Sequence, residues 1–141
     1  MDLEFTITSK KEFLSLKLSQ LHSKDVLSVA VATPVEEIIS MLHEHNVGAV
    51  MVMEGSGLRG VVSERDIINK LADPTQKLSK LCAQDVMTSK PITLSINDTF
   101  DTAMRTMNEK RFRHLPVVDD NGVVVSVFSI KEALDFLLMH L

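Results

Sequence analysis

Two serine–acid pairs stand out as groups able to do chemistry: Ser63 with Asp66, and Ser129 with Glu132, each pair three residues apart. Both fall where a β-branched apolar stretch, ending at Val62 or Phe128, gives way to apolar residues at helical spacing. A hydroxyl at such a junction points out together with the first free backbone N–H groups of the helix, and that combination holds an anion. One turn later a carboxylate offers two oxygens with several lone pairs, enough for the two hydroxyls of a ribose. The same spacing also describes an ordinary helix start. A serine cap answered by an acid three positions on stabilises the helix by roughly 0.5–2 kcal/mol with no ligand. Both readings stay open, and an empty site can satisfy both.

The elements that position these groups come as a repeat. Lys17-Leu18-Ser19-Gln20-Leu21 to Val26 returns as Lys77-Leu78-Ser79-Lys80-Leu81 to Val86, at an offset of 60. Thr33-Pro34-Val35-Glu36 is echoed by Asp98-Thr99-Phe100-Asp101 at 65, and Ser63-Glu64-Arg65-Asp66 by Ser129-Ile130-Lys131-Glu132 at 66. Read this way, five residues enter the second copy and one more enters its Asp119-Asp120-Asn121-Gly122 turn, both in connections, where insertions are tolerated.

In the first copy Thr33 reads as an N-cap, Pro34 as the first helical position and Glu36 as the residue returning the cap's bond, for a helix over 34–45. Strands are expected over 47–53 and 58–62, then a helix opening at Ser63 that Asp73-Pro74 ends. The second copy repeats this with Phe100, Ala103, Met104 and Met107 as one helix face, strands over 112–118 and 123–128, and Ile130, Ala133, Leu134 and Leu137 as the last face. Leu14, Leu18 and Leu21 suggest an amphipathic leader helix from Thr8 or Ser9. The division is a non-repeated segment 1–16, a first repeat 17–76 and a second 77–141. The expected fold is α/β of the α+β type: two pseudo-symmetric repeats, each a small three-stranded sheet with helices, packed through their sheets because neither half hides its apolar surface alone.

Composition narrows the function. At 141 residues, 45% hydrophobic and 24% charged, the chain is one ordinary globular domain's worth, and it has no apolar run of membrane-spanning length. The absence of a basic, apolar leader and a single cysteine, Cys82, point to a cytoplasmic protein. A net charge of −4 argues against nucleic-acid binding, which draws its affinity from cations on phosphates. No spacing among His22, His43, His45, His114, His140 and Cys82 suits a metal, and the eight methionines sit at helix-face positions, as core filler does. No nucleophile stands with a base, and no phosphate loop of the Walker type occurs, so an enzyme is not expected.

Asp85-Val86-Met87-Thr88, Pro91-Ile92-Thr93, Arg111-Phe112-Arg113-His114-Leu115-Pro116-Val117-Val118-Asp119 and Gly60-Val61-Val62-Ser63-Glu64-Arg65-Asp66 together resemble the cystathionine β-synthase (CBS) domain, which occurs as tandem pairs called Bateman modules. The resemblance runs from Lys17 to the C-terminus. It implies a regulatory module that binds an adenine nucleotide or related adenosyl ligand (AMP, ADP, ATP, NAD or S-adenosylmethionine) in clefts between the copies. It also implies a homodimer and an unidentified regulated protein as partner, with no required cofactor. It assigns the serine and acid positions, Ser63, Asp66, Ser129 and Glu132, to phosphate and ribose. Arg113 and His114 go to phosphate, Ile92 and Thr93 to the adenine edge, and Pro116 lies within the same motif.

The second copy departs from the first. Glu132 is one methylene longer than Asp66, which misplaces its carboxylate for the same sugar. Ser126 stands where Gly60 does, while Arg113 and His114 replace Gly48 and Ala49. An arginine's planar fork suits phosphate. Lys110 to Arg113 also reads as a solvated helix end with cations at its negative pole. The alternative to a sensor is a dimerisation or scaffold module whose clefts are degenerate and empty.

Overall fold

The computed structural model describes Glu12, residues 14–20 and residues 26–139, with the side chains of Phe136 and Met139 excepted. The described residues form two compact units, one over 26–92 and the other combining the described residues up to Gln20 with 93–139.

The first unit runs β1 (Ser28–Ala30), α1 (Val35–His45), β2 (Ala49–Glu54), β3 (Gly57–Ser63), α2 (Glu64–Leu71), a 3-10 turn over Leu78–Lys80, α3 (Ala83–Val86) and β4 (Thr88–Ser89). Its sheet has the order β1-β2-β3-β4, with β1 parallel to β2 and the other pairs antiparallel. Val50 and Val52 of β2 enter a core with Val29, Val35, Ile38, Leu42, Val62, Ile67, Leu81, Ala83 and Val86. Ala49 and Met51, alternating to the opposite face, are buried as well, so β2 is apolar on both sides.

The second unit runs from a 3-10 turn over Leu18–Gln20 to β5 (Leu94–Ser95), α4 (Phe100–Lys110), β6 (His114–Val118), β7 (Val124–Ser129) and α5 (Ile130–Met139). Here the sheet is three-stranded, β5-β6-β7, with β5 parallel and β7 antiparallel to β6. Phe100 meets Phe128 edge to face, ring centroids 5.7 Å apart, in a core with Leu115, Val117, Ala103 and Met107.

The expected strand-helix-strand-strand-helix order appears in both units, and three local expectations are corrected. The first sheet has four strands, because residues that continue into the second copy come back as β4. Thr33 does not cap α1: its hydroxyl accepts the Ala30 N–H at 3.0 Å, closing the turn after β1, and Pro34 takes the cap position without a side-chain bond. On α5 only Ala133 of the expected face is buried, while Ile130 and Leu134 stay more than half exposed. Of the leader helix, Glu12 and Leu14 are helical; Leu21 and residues 1–11 lie outside the described residues.

The repeat itself is registered differently in space. The Leu81 carbonyl accepts from Val35 N–H at 3.0 Å, and the Leu16 carbonyl accepts from Phe100 N–H at 2.7 Å. Ala83 N–H donates to Thr33 and Gln84 N–H to Val31; Leu18 N–H donates to Asp98 and Ser19 N–H to Ile96. Every member of one set has its counterpart 65 positions away in the other. The offset of 60 at Lys17 and Lys77 is thus a likeness of letters, and no five-residue insertion separates these elements. Backbone pairing, blind to side-chain identity, fixes which residues are equivalent. The pairing also crosses the copies: the stretch leading into the second repeat closes the start of α1, and the stretch leading into the first closes the start of α4.

Candidate functional site

In the first unit β3 ends at Ser63, whose extended backbone (φ −104°, ψ 164°) makes it the N-cap of α2. The Ser63 hydroxyl accepts from Asp66 N–H at 3.2 Å. Asp66 Oδ2 accepts the Ser63 N–H at 2.8 Å and the Ser63 hydroxyl at 2.9 Å. The capping box is therefore complete without a ligand. Asp66 Oδ1 accepts only a longer bond, 3.3 Å, from the Thr88 hydroxyl of β4. A carboxylate has about four lone-pair positions, so three donors leave acceptor capacity, and it lies on Oδ1. Asp66 is half-buried.

Thr88 reaches Asp66 because β4 docks on β3 in the register Gly60↔Ser89 and Val61↔Thr88. Gly60 makes room for that: a Cβ there would lie 2.7 Å from both Met87 Sδ and the Thr88 carbonyl. β4 follows α3, where Asp85 takes the Cys82 N–H at 2.8 Å and the thiol at 3.1 Å. Those two bonds, the backbone one foremost, hold the Asp85 carboxyl below its usual range against a small opposing effect of burial. Pro91 and Ile92 continue from β4 half-buried and without regular structure, and Thr93 begins the second unit, exposed.

The second unit holds the other expected residues. His114 opens β6 opposite Ser129 at the end of β7. The Arg113 carbonyl accepts from Ile130 N–H at 3.4 Å, as the Gly48 carbonyl accepts from Glu64 N–H in the first unit. Ser129 Oγ accepts from Glu132 N–H at 3.1 Å, so this serine caps α5. Arg113 is exposed and His114 half-buried, next to the start of α5, where a positive helix end and a cation favour the same anion. Pro116 is different: its ring is fully buried among the core residues of β6.

Ser63, Asp66 and Ile92 thus belong to one unit, and Thr93, Arg113, His114, Pro116, Ser129 and Glu132 to the other. Thr88 is the site residue that spacing did not reveal. It lies in the quoted Asp85-Val86-Met87-Thr88 motif, but by sequence that motif opens the second copy, and its partner Asp66 is in the first. Among the described residues no three His, Cys, Asp or Glu side chains gather to hold a metal ion, and no helix is long and apolar enough to cross a membrane.

The CBS domain family matches this chain twice, at residues 18–73 and 83–139, starts that stand 65 apart like the backbone counterparts. An uncharacterized protein of Methanopyrus kandleri is 26% identical over 121 residues, 85% of this chain and 62% of its own length, so the chain spans less than two thirds of that relative. A CBS domain-containing protein of Bacillus subtilis is 29% identical over 110 residues, covering 72% of this chain and 75% of the relative. Among solved structures, a CBS domain protein from Pyrobaculum aerophilum complexed with AMP superposes with a TM-score of 0.77 at 27% identity, covering 89% of this chain and 98% of that one. With both copies matched by the family, the chain belongs to the CBS domain family and carries the domain as a tandem pair.

Proposed function

We propose that this tandem pair is a cytoplasmic, non-catalytic sensor that binds an adenine nucleotide or related adenosyl ligand and passes its occupancy to a regulated protein. In the first unit Asp66 takes ribose hydroxyls through Oδ1, Ser63 faces the phosphate side and Ile92 supplies backbone to the adenine edge. In the second unit Arg113 and His114, beside Ser129, supply the phosphate contacts that Gly48 and Ala49 cannot. Glu132 is a poorer sugar ligand than Asp66, so the two units are unequal. The observation that carries this reading is the unsaturated Asp66 Oδ1 beside a capped helix start, supported by the AMP bound to the Pyrobaculum relative. Exposed Ile68, Leu134 and Leu138 support a homodimer, since apolar side chains left open on two helices favour association. The lone Cys82, without a disulfide, accords with a reducing compartment.

Calorimetric titration with AMP, ADP, ATP, NAD and S-adenosylmethionine tests the reading. At least one ligand gives saturable heat that Asp66→Ala abolishes; silence from all five at millimolar concentration overturns it. A scaffold role is the second reading, favoured by the capping box that closes on Ser63 with no ligand and by Ser126 and Glu132 in the second unit. It requires a ligand-free dimer whose melting temperature no nucleotide raises, whereas a bound ligand at a hundred times its Kd adds about 2.7 kcal/mol.

A further inference from the structure

Three features of the first unit act on one strand. β4 is two residues long and holds β3 by a register that exists because position 60 has no side chain. Its Thr88 hydroxyl is the donor to Asp66 Oδ1, at 3.3 Å, whereas Oδ2 is filled by two shorter bonds from Ser63. Beyond Ser89 the backbone turns through Lys90, which has a positive φ of 50°, toward Pro91 and Ile92. The chain does not repeat this set: Ser126 and Glu132 stand at the positions of Gly60 and Asp66.

A short strand with two rungs has little backbone pairing to hold it, so a side-chain bond at its first residue carries weight in its order. The bond also fixes the Asp66 carboxylate plane. With Oδ2 bound twice by Ser63, rotation of the carboxylate is stopped by that residue at one end and by Thr88 at the other.

We propose that Thr88 is the positioning residue of Asp66: its hydroxyl clasps β4 to the start of α2 and aims Oδ1 for an incoming diol. The ligand part of this proposal rests on the ribose reading of Asp66. A diol that takes Oδ1 shares that oxygen with Thr88, so occupancy alters the clasp and with it the order of the segment leading to Pro91 and Ile92. Thr88 acts through Asp66, and the chemistry it serves is recognition of vicinal hydroxyls.

The test compares wild type with Thr88→Val, which keeps the branched strand side chain but removes the donor, and Thr88→Ser, which keeps the donor. Amide hydrogen exchange is read at Thr88 and Ser89, and AMP affinity by calorimetry. Without ligand, Thr88→Val exchanges about three- to tenfold faster at those amides, the effect of losing one modest hydrogen bond, while amides of Val50 and Val62 keep their protection and Thr88→Ser behaves as wild type. AMP binding weakens several-fold in Thr88→Val alone, and AMP-dependent exchange at β4 disappears with it. Unchanged exchange in Thr88→Val overturns the clasp. Wild-type AMP affinity in Thr88→Val, with binding lost in Asp66→Asn, overturns the positioning role and leaves the ribose reading intact. If wild type binds none of AMP, ADP, ATP, NAD and S-adenosylmethionine, the ribose reading fails, and the ligand-free exchange alone decides whether Thr88 holds Asp66.

Discussion

Asp66 serves the helix and the proposed ligand with different oxygens. Asp66→Ala removes the acceptor of the capping box and is expected to cost about 0.5–2 kcal/mol in urea unfolding, besides abolishing nucleotide heat. Asp66→Asn retains an acceptor and loses less stability, which separates the two duties. Asp85 tests another cap. Because the folded carboxyl sits below its ordinary range, it stays charged at acidities where the unfolded one is protonated. The Asp85 contribution is thus full above about pH 4 and fades as pH falls further. Urea curves of wild type and Asp85→Asn, apart at pH 6, should converge toward pH 3. At this scale the sequence made Ser63 and Asp66 visible by spacing, since a strand-to-helix junction has few solutions. Thr88 stayed hidden because its partner lies 22 positions back across the repeat boundary, and spacing carries no signal of a pairing that only β4 creates.

Among elements, the strand β4 depends on an absence. Gly60→Ala places a methyl 2.7 Å from the Thr88 carbonyl, a backbone atom that cannot step aside without loosening β4. The expected loss is about 1–3 kcal/mol, with increased exchange confined first to residues 87–90. Helix ends offer the opposite case. α1 and α4 both stop at a left-handed residue, Asn46 (φ 50°) and Arg111 (φ 59°). Asparagine tolerates that conformation better than arginine, so Arg111→Gly should raise stability by up to about 1 kcal/mol, and Asn46→Gly by less. Periodicity located most helices and strands of both copies within a few residues, because one apolar face per helix and β-branched runs leave few alternatives. It mistook Thr33, whose hydroxyl had a nearer backbone donor in Ala30. It also overcounted the buried face of α5, since a stripe of leucine and isoleucine looks the same whether it meets a sheet or solvent.

For the molecule as a whole, the crossed leaders decide what holds what. Leu16 and Leu81 are both 8% exposed, each with its carbonyl bound to the first turn of a helix in the other copy. Leu81→Ala should loosen α1, and Leu16→Ala should loosen α4, each by about 2–4 kcal/mol. Site-resolved exchange checks the assignment: loss of protection in the helix following the mutated leucine in its own copy would contradict it. The duplication was legible from recurring motifs, but its register was not, because Lys-Leu-Ser recurs at the wrong spacing and the correct partners, Leu16 and Leu81, share little beyond being leucine. Crossing has a cost in chain topology. The Leu16–Phe100 bond closes a loop of more than 80 residues, and such distant pairing slows folding. A circularly permuted chain that opens at Asp25, runs through Leu141 and returns by a linker to residues 1–24 would make each compact unit contiguous. It should reach the same native state faster, its rate rising as the average sequence separation of touching residues falls.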